Sequence, residues 1–299
     1  MDGIMRQLKV LLITAVMTLI SSAPLSAESL IINRENNETK TENHPFVITP
    51  HKVNYVLPVT YQSRPNELPY SQEYEASEHH LDNIEAKFQI SLKLPIWHNL
   101  ITENDALYFG YTSTSYWQVY NSEVSGPFRS TDHEPELFWI TQTGDFWKNY
   151  HLSHFGIGLT HQSNGKSGTL SRSWNRIYGM LVFDLDDFAF SAKAWYRIPE
   201  NEKSHKSDPT GDDNPQIEKF LGNVELTGIY GFKNHRFSAA LRNNLSQDNK
   251  GSIELTWSYP VLGNLRFYAQ FFNGYGESLI DYDHHNSRIG LGVALNDVL

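Results

Sequence analysis

The chain has 299 residues, enough for one large domain or two small ones, and 24 Lys and Arg against 34 Asp and Glu leave a net charge of −10. Such an acidic chain offers no basic stripe to neutralise phosphates, which argues against nucleic acid as its main partner. It holds no cysteine, so disulfides, thiolate metal sites and cysteine nucleophiles are excluded together.

At the N-terminus, Arg6 and Lys9 precede an apolar run over 10–20, then small residues leading to Ala27. A positive start, a short apolar centre and Leu25-Ser26-Ala27 before a cut describe a signal peptide over 1–27. The run falls well short of the ~20 residues a spanning helix needs, and no later stretch supplies one. That leaves a soluble periplasmic or secreted protein, or a β-barrel whose spanning strands hide in an averaged hydropathy profile. Residues 28–50 are polar and lack periodicity; they read as an N-terminal arm before a domain over 51–299.

From there the chain repeats one design. Phe88, Ile90, Leu92 and Leu94 alternate with Gln89, Ser91 and Lys93; Ile253, Leu255, Trp257 and Tyr259 alternate with Glu254, Thr256 and Ser258. A period of two means strands with one apolar face. About twelve such segments lie near 53–61, 84–94, 106–119, 134–144, 150–163, 173–184, 187–199, 217–231, 235–245, 251–259, 264–273 and 286–297. No convincing amphipathic helix separates them, which argues against an α/β fold. Some connections are tight (Asp186-Asp187, Lys233-Asn234, Leu262-Gly263) and others long and polar (64–83, 120–133, 200–216, 274–285). Short turns at one end and long loops at the other are what an outer-membrane barrel shows. A soluble β-sandwich alternates too, but two features favour the membrane. Tyr55, Tyr61, Trp97, Trp139, Trp174, Tyr178, Trp195, Tyr196, Tyr259 and Tyr275 sit toward segment ends, as aromatic girdles require, and several non-apolar faces suit a polar lumen. The predicted fold is all-β: an antiparallel transmembrane barrel of about twelve strands in the outer membrane.

The chemistry concentrates on one hairpin. Phe155, Ile157, Leu159, His161 and Ser163 share a parity, so a His and a Ser continue an apolar face. Polar residues on a lipid-facing wall are costly unless paired or functional. Asn175 shares the parity of Ile177, Leu181 and Phe183 on the next segment, and His161 and Asn175 lie symmetrically about Gly168. A hairpin centred there makes them facing partners, about 5 Å apart at Cβ. Ser163 and His161, two residues apart along a strand, are about 7 Å apart at Cα, within reach of a hydroxyl–imidazole hydrogen bond. Asn175 can accept the Nδ1 proton of His161 and leave Nε2 free to take the proton of Ser163. No Gly-x-Ser-x-Gly elbow occurs, so an α/β-hydrolase lipase is not supported. The pairs His79-His80 and His284-His285, and the acidic run around Asp208 to Asp213, read as solvated loops.

Residues 161–178, HQSNGKSGTLSRSWNRIY, resemble the signature of the outer-membrane phospholipase A family. Further matches are NYVLPVTY at 54–61, PFR at 127–129, DDNP at 212–215 and GYGESLIDY at 274–282, in order along the chain. The resemblance implies a twelve-stranded barrel hydrolysing the sn-1 and sn-2 ester bonds of phospholipids and lysophospholipids, activated by homodimerisation and Ca²⁺. Carried residue by residue, it makes Ser163 the nucleophile, His161 the base, Asn175 its orienter and the Gly165 amide an oxyanion donor. Calcium falls to the Ser171 side chain, the Lys166 carbonyl and the carbonyl of Ser125 of the partner subunit. The chain departs from the family at Gly168, which stands where relatives carry an acidic residue of a second calcium site; Asp213 would be its partner there. Ser113 replaces a Gln that bonds across the family's dimer interface. Two rivals remain: a passive porin or structural barrel, for which the polar trio is incidental, and a lipid A deacylase, which also places Ser and His on a barrel's outer face.

Overall fold

Successive side chains of a strand point to opposite faces, so a sheet of alternating strands curls with its apolar face on one side. The computed structural model describes residues 49–73, 81–122, 128–144, 150–185, 187–205 and 210–296, with 30, 31, 34, 38, 147 and 208. Residues 1–27, expected to be the signal peptide, and Ser125 lie outside the described residues. The strands are β1 (Tyr55–Gln62), β2 (Ile84–His98), β3 (Asp105–Trp117), β4 (Phe128–Gln142), β5 (Leu152–Ser163) and β6 (Ser173–Leu185). They continue with β7 (Phe188–Ile198), β8 (Val224–Phe232), β9 (His235–Asn243), β10 (Gly251–Leu262), β11 (Leu265–Tyr275) and β12 (His285–Ala294). Every strand pairs antiparallel with its chain neighbours, and β1 pairs with β12, Tyr61 opposite Ile289, to close the barrel. Closure leaves no sheet edge to expose in lipid.

The apolar parity faces outward. Phe155, Ile157 and Leu159 of β5 are exposed, while Gly156, Gly158 and Thr160 between them are buried. The lumen is filled with charge. Arg129 pairs with Glu85 (3.1 Å) and Asp281 (2.5 Å), and Arg288 with Glu85 (2.8 Å) and Glu277 (2.7 Å). A second group joins Lys52 to Glu134 (2.7 Å) and Arg176 to Glu134 (3.0 Å). Glu277 and Asp281, in the last long loop, thus dip into the lumen and anchor that loop to the barrel wall. Isolated buried charges would be untenable; paired like this, they fix which side chains meet more than they add stability.

Short turns join the strands at one end, Lys233 and Gly263 taking left-handed backbone at φ 53 and 55. The long connections gather at the other end, as the sequence predicts. Among the described residues two short α-helices lie within them, α1 (Leu68–Glu73) and α2 (Ile217–Leu221). The second corrects the strand expected from 217. Ile217 and Leu221, four apart, are both buried, and they pack with Trp174, Tyr178, Trp195 and Leu279 in the main apolar cluster. The same cluster corrects the girdle: Trp174, Tyr178 and Trp195 point into the barrel, as does Tyr55, stacked on Tyr268. Trp97, Tyr61 and Tyr196 are exposed on the outside. The described residues of the N-terminal arm are not loose. Leu30 and Ile31 are buried, Arg34 donates to the carbonyls of Pro50 and His51, and Glu38 pairs with Lys93 at 2.6 Å.

Candidate functional site

Strands β5 and β6 form the hairpin that carries the predicted residues. Their register places His161 opposite Asn175 and Ser163 opposite Ser173, and the His161 Nδ1 lies 2.8 Å from Asn175 Oδ1. His161 is exposed, and Ser163 and Asn175 are half-buried on the outer wall beside the exposed Leu159 and Ile177. Ser163 ends its strand, and no hydrogen bond joins it to His161 among the described residues. Catalytic hydrogen bonds of this kind often form only when substrate arrives.

What holds this hairpin in place lies behind it. A Cβ at Gly158 would fall 2.6 Å from the Tyr178 ring, so the glycine lets that ring lie flat across β5. On the inner face Gln162 accepts from Trp174 Nε1 at 2.8 Å, and the Arg176 guanidinium stacks 4.0 Å above the Trp174 ring. The loop 164–172 is clamped by Asn164, 3% exposed. Its side chain accepts from the amides of Arg172 (3.0 Å) and Lys166 (3.3 Å) and donates to the Leu170 carbonyl (2.8 Å). Gly165 follows at φ 62, a left-handed conformation that favours glycine, and its N–H makes no hydrogen bond among the described residues.

The remaining candidates lie on the same loop. Ser171 and Ser173 both donate to Asp213 Oδ2, at 2.7 and 3.2 Å. The other oxygen of Asp213 is paired with the Lys203 ammonium. Gly168 begins a single 3-10 turn over Gly168–Leu170. Among the described residues no three His, Asp or Glu side chains come together as a metal cluster.

Three neighbours escape the sequence reading. Asn164 could have been found from its Asn-Gly step at a hairpin end. Glu200, just past β7, accepts from Asn175 Nδ2 at 3.1 Å; no spacing rule reaches from one connection to the next strand pair. His133 of β4 stands directly opposite Ser163, its Nδ1 2.7 Å from the Tyr111 hydroxyl. It joins Ser113, Ser163 and Ser173 in one register, a polar row across four strands of an otherwise apolar wall.

A family model described as Phospholipase A1 matches residues 31–295. The chain belongs to the phospholipase A1 family. Phospholipase A1 of Escherichia coli (strain K12) is 35% identical over 279 residues, 93% of this chain and 90% of that one. Phospholipase A1 of Proteus vulgaris is 37% identical over 262 residues, 88% of this chain and 86% of that one. A crystal structure of the Salmonella typhi outer membrane phospholipase (OMPLA) dimer with bound calcium aligns with TM-score 0.78 at 36% identity, covering 86% of this chain and 95% of that one. Outer membrane phospholipase A from Escherichia coli aligns with TM-score 0.76 at 36% identity, covering 85% and 100%. Like these phospholipase A1 relatives, the protein is an outer-membrane β-barrel.

Proposed function

We propose that this phospholipase A1 family member hydrolyses the sn-1 and sn-2 acyl esters of glycerophospholipids and lysophospholipids, with Ser163, His161 and Asn175 as its triad and a calcium-bound homodimer as its active form. The observation that carries the reading is the 2.8 Å contact between His161 Nδ1 and Asn175 Oδ1 beside Ser163, on a wall built for lipid. With Asn175 accepting the Nδ1 proton, Nε2 of His161 is unprotonated and can take the proton of Ser163 as its Oγ attacks the acyl carbonyl. The same Nε2–H then protonates the departing glycerol oxygen, leaving an acylated serine. Water, activated by His161 in turn, releases the fatty acid. The free N–H of Gly165 is the oxyanion donor, two residues beyond the nucleophile.

Calcium fits the oxygens present. The Ser171 hydroxyl spends its hydrogen on Asp213, so its lone pairs remain open to a cation. The Lys166 carbonyl accepts no hydrogen bond among the described residues. Ser125 of the partner subunit would add a second carbonyl, and neutral hard oxygens with few carboxylates suit weakly held Ca²⁺. When bound, the ion supplies positive charge beside the developing oxyanion. A second calcium at Asp213 would first have to displace Lys203. Dimerisation answers a geometric need, because a convex wall offers no cleft for an acyl chain, and a second barrel against it does.

The test is hydrolysis of phospholipid in mixed micelles by refolded protein, with calcium or chelator, beside Ser163→Ala. Hexadecanesulfonyl fluoride should add one sulfonyl group per chain, on Ser163, and Ser163→Ala should retain less than about a thousandth of the activity. Labelling elsewhere, or an active Ser163→Ala, would sink the triad.

A further inference from the structure

An Asn in place of a triad acid leaves two problems. A carboxamide can face His161 with its oxygen or, after a flip, with its NH2, and only the first orientation accepts the Nδ1 proton. It also carries no charge to steady the imidazolium formed during catalysis. Asn175 stands on the outer wall, where no packed core enforces one orientation.

We infer that Glu200 is the positioning residue that solves both problems, so that the relay on this barrel runs Ser163–His161–Asn175–Glu200. This rests on the triad reading above. Asn175 is the register partner of Ile198, the last residue of β7, and Glu200 follows two residues later, carrying the same parity off the strand end. Its Oε1 lies 3.1 Å from Asn175 Nδ2. A carboxylate only accepts, so the atom of Asn175 that faces Glu200 must be the NH2, and the oxygen is thereby turned to His161 at 2.8 Å. Among the described residues Glu200 makes no ion pair and no other side-chain hydrogen bond. Its charge is therefore not neutralised by a neighbouring cation and acts through the amide, one residue removed from the imidazole. The effect strengthens when lipid or a second barrel excludes water from the wall.

The arrangement makes a counterintuitive prediction. Aspartate is ordinarily the better partner for a catalytic histidine, yet Asn175→Asp would set two carboxylates about 3 Å apart. That variant should lose activity here, and the loss should be repaired by Glu200→Gln, whose amide can donate to the new carboxylate. The double exchange moves the charge one position closer to His161 while keeping every hydrogen bond.

The experiment measures kcat and KM for phospholipid hydrolysis in calcium-containing micelles, with each variant checked for the folded barrel by heat-modifiable gel mobility. Glu200→Ala should lower kcat about tenfold with KM unchanged, and Glu200→Gln, which still accepts from Asn175 but carries no charge, should lose the smaller part of that, about threefold. Asn175→Asp should fall about tenfold, and adding Glu200→Gln should raise it again rather than lower it further. A Glu200→Ala enzyme with wild-type kcat, or an Asn175→Asp enzyme indifferent to Glu200→Gln, overturns the proposal. Ser163→Ala run alongside separates the two levels. If it is inactive while Glu200→Ala is normal, the triad stands and only the role of Glu200 falls; if it is active, the triad itself has failed.

Discussion

Gly165, two residues past the strand of the proposed nucleophile, has left-handed backbone at φ 62. A Cβ there would meet His133 at 3.6 Å, ordinary contact distance, so Gly165→Ala is opposed by its backbone and not by crowding. Left-handed alanine costs about 1 kcal/mol, and relaxing it turns the Asn164–Gly165 peptide and its N–H away. Gly165→Ala should therefore fold with stability reduced by about that amount while kcat falls about a hundredfold. Unfolding in urea and steady-state kinetics check the two halves, and full kcat in the folded variant removes Gly165 from the oxyanion site. At this scale the pairing of His161 with Asn175 was legible, because parity and the midpoint at Gly168 determine a hairpin register. Glu200 and His133 were not. One lies in a connection whose length carries no register, and the other on the polar start of a strand whose alternation is invisible while both faces are hydrophilic.

The hairpin β5–β6 and its loop act as one element. Asn164 ties both ends of the loop together, and Asp213 holds the hydroxyls of Ser171 and Ser173 from the neighbouring connection. The loop is thus preformed, and removing the Ser171 oxygen should weaken cation binding without unfolding it. Ser171→Ala is expected to raise the calcium concentration for half-maximal activity about tenfold, and to weaken calcium-dependent cross-linking of two chains in parallel. Chelator should abolish both in the wild type. Unchanged calcium dependence in Ser171→Ala would move the ion elsewhere. Strand periods were read correctly where one face is apolar and the other polar. They failed at 217–221, where Ile217 and Leu221 belong to a helical turn closed by Gly222 at φ 71. The i, i+4 spacing was the missed signal. They also failed at the start of β4, which begins at Phe128 rather than 134. There Ser130 and Asp132 face the lumen and are buried, so polarity did not mean loop.

Twelve strands follow from alternation, and so does the direction of the aromatic residues once parity is weighed above position. Trp174, Tyr178 and Trp195 looked like girdle residues from their place at segment ends, yet Trp174 and Tyr178 share the parity of Arg176, opposite Asn175 and Ile177, and the register lines them up with Gln162 and Trp195 inside. What fills the barrel has a consequence for the electrical behaviour of the membrane. Glu85, Lys87, Tyr116, Arg129 and Arg288 are each 3% exposed or less, so at their level packed, mutually paired side chains occupy the bore and oppose the passage of a hydrated ion. Reconstituted in a planar bilayer, the wild-type barrel should pass no stepwise current under an applied voltage. Stable porin-like conductance steps from the pure protein would restore the reading of a passive pore. Silence beside measurable lipolysis would mean that acyl chemistry on the outer wall proceeds while sodium, protons and small solutes stay on their own sides.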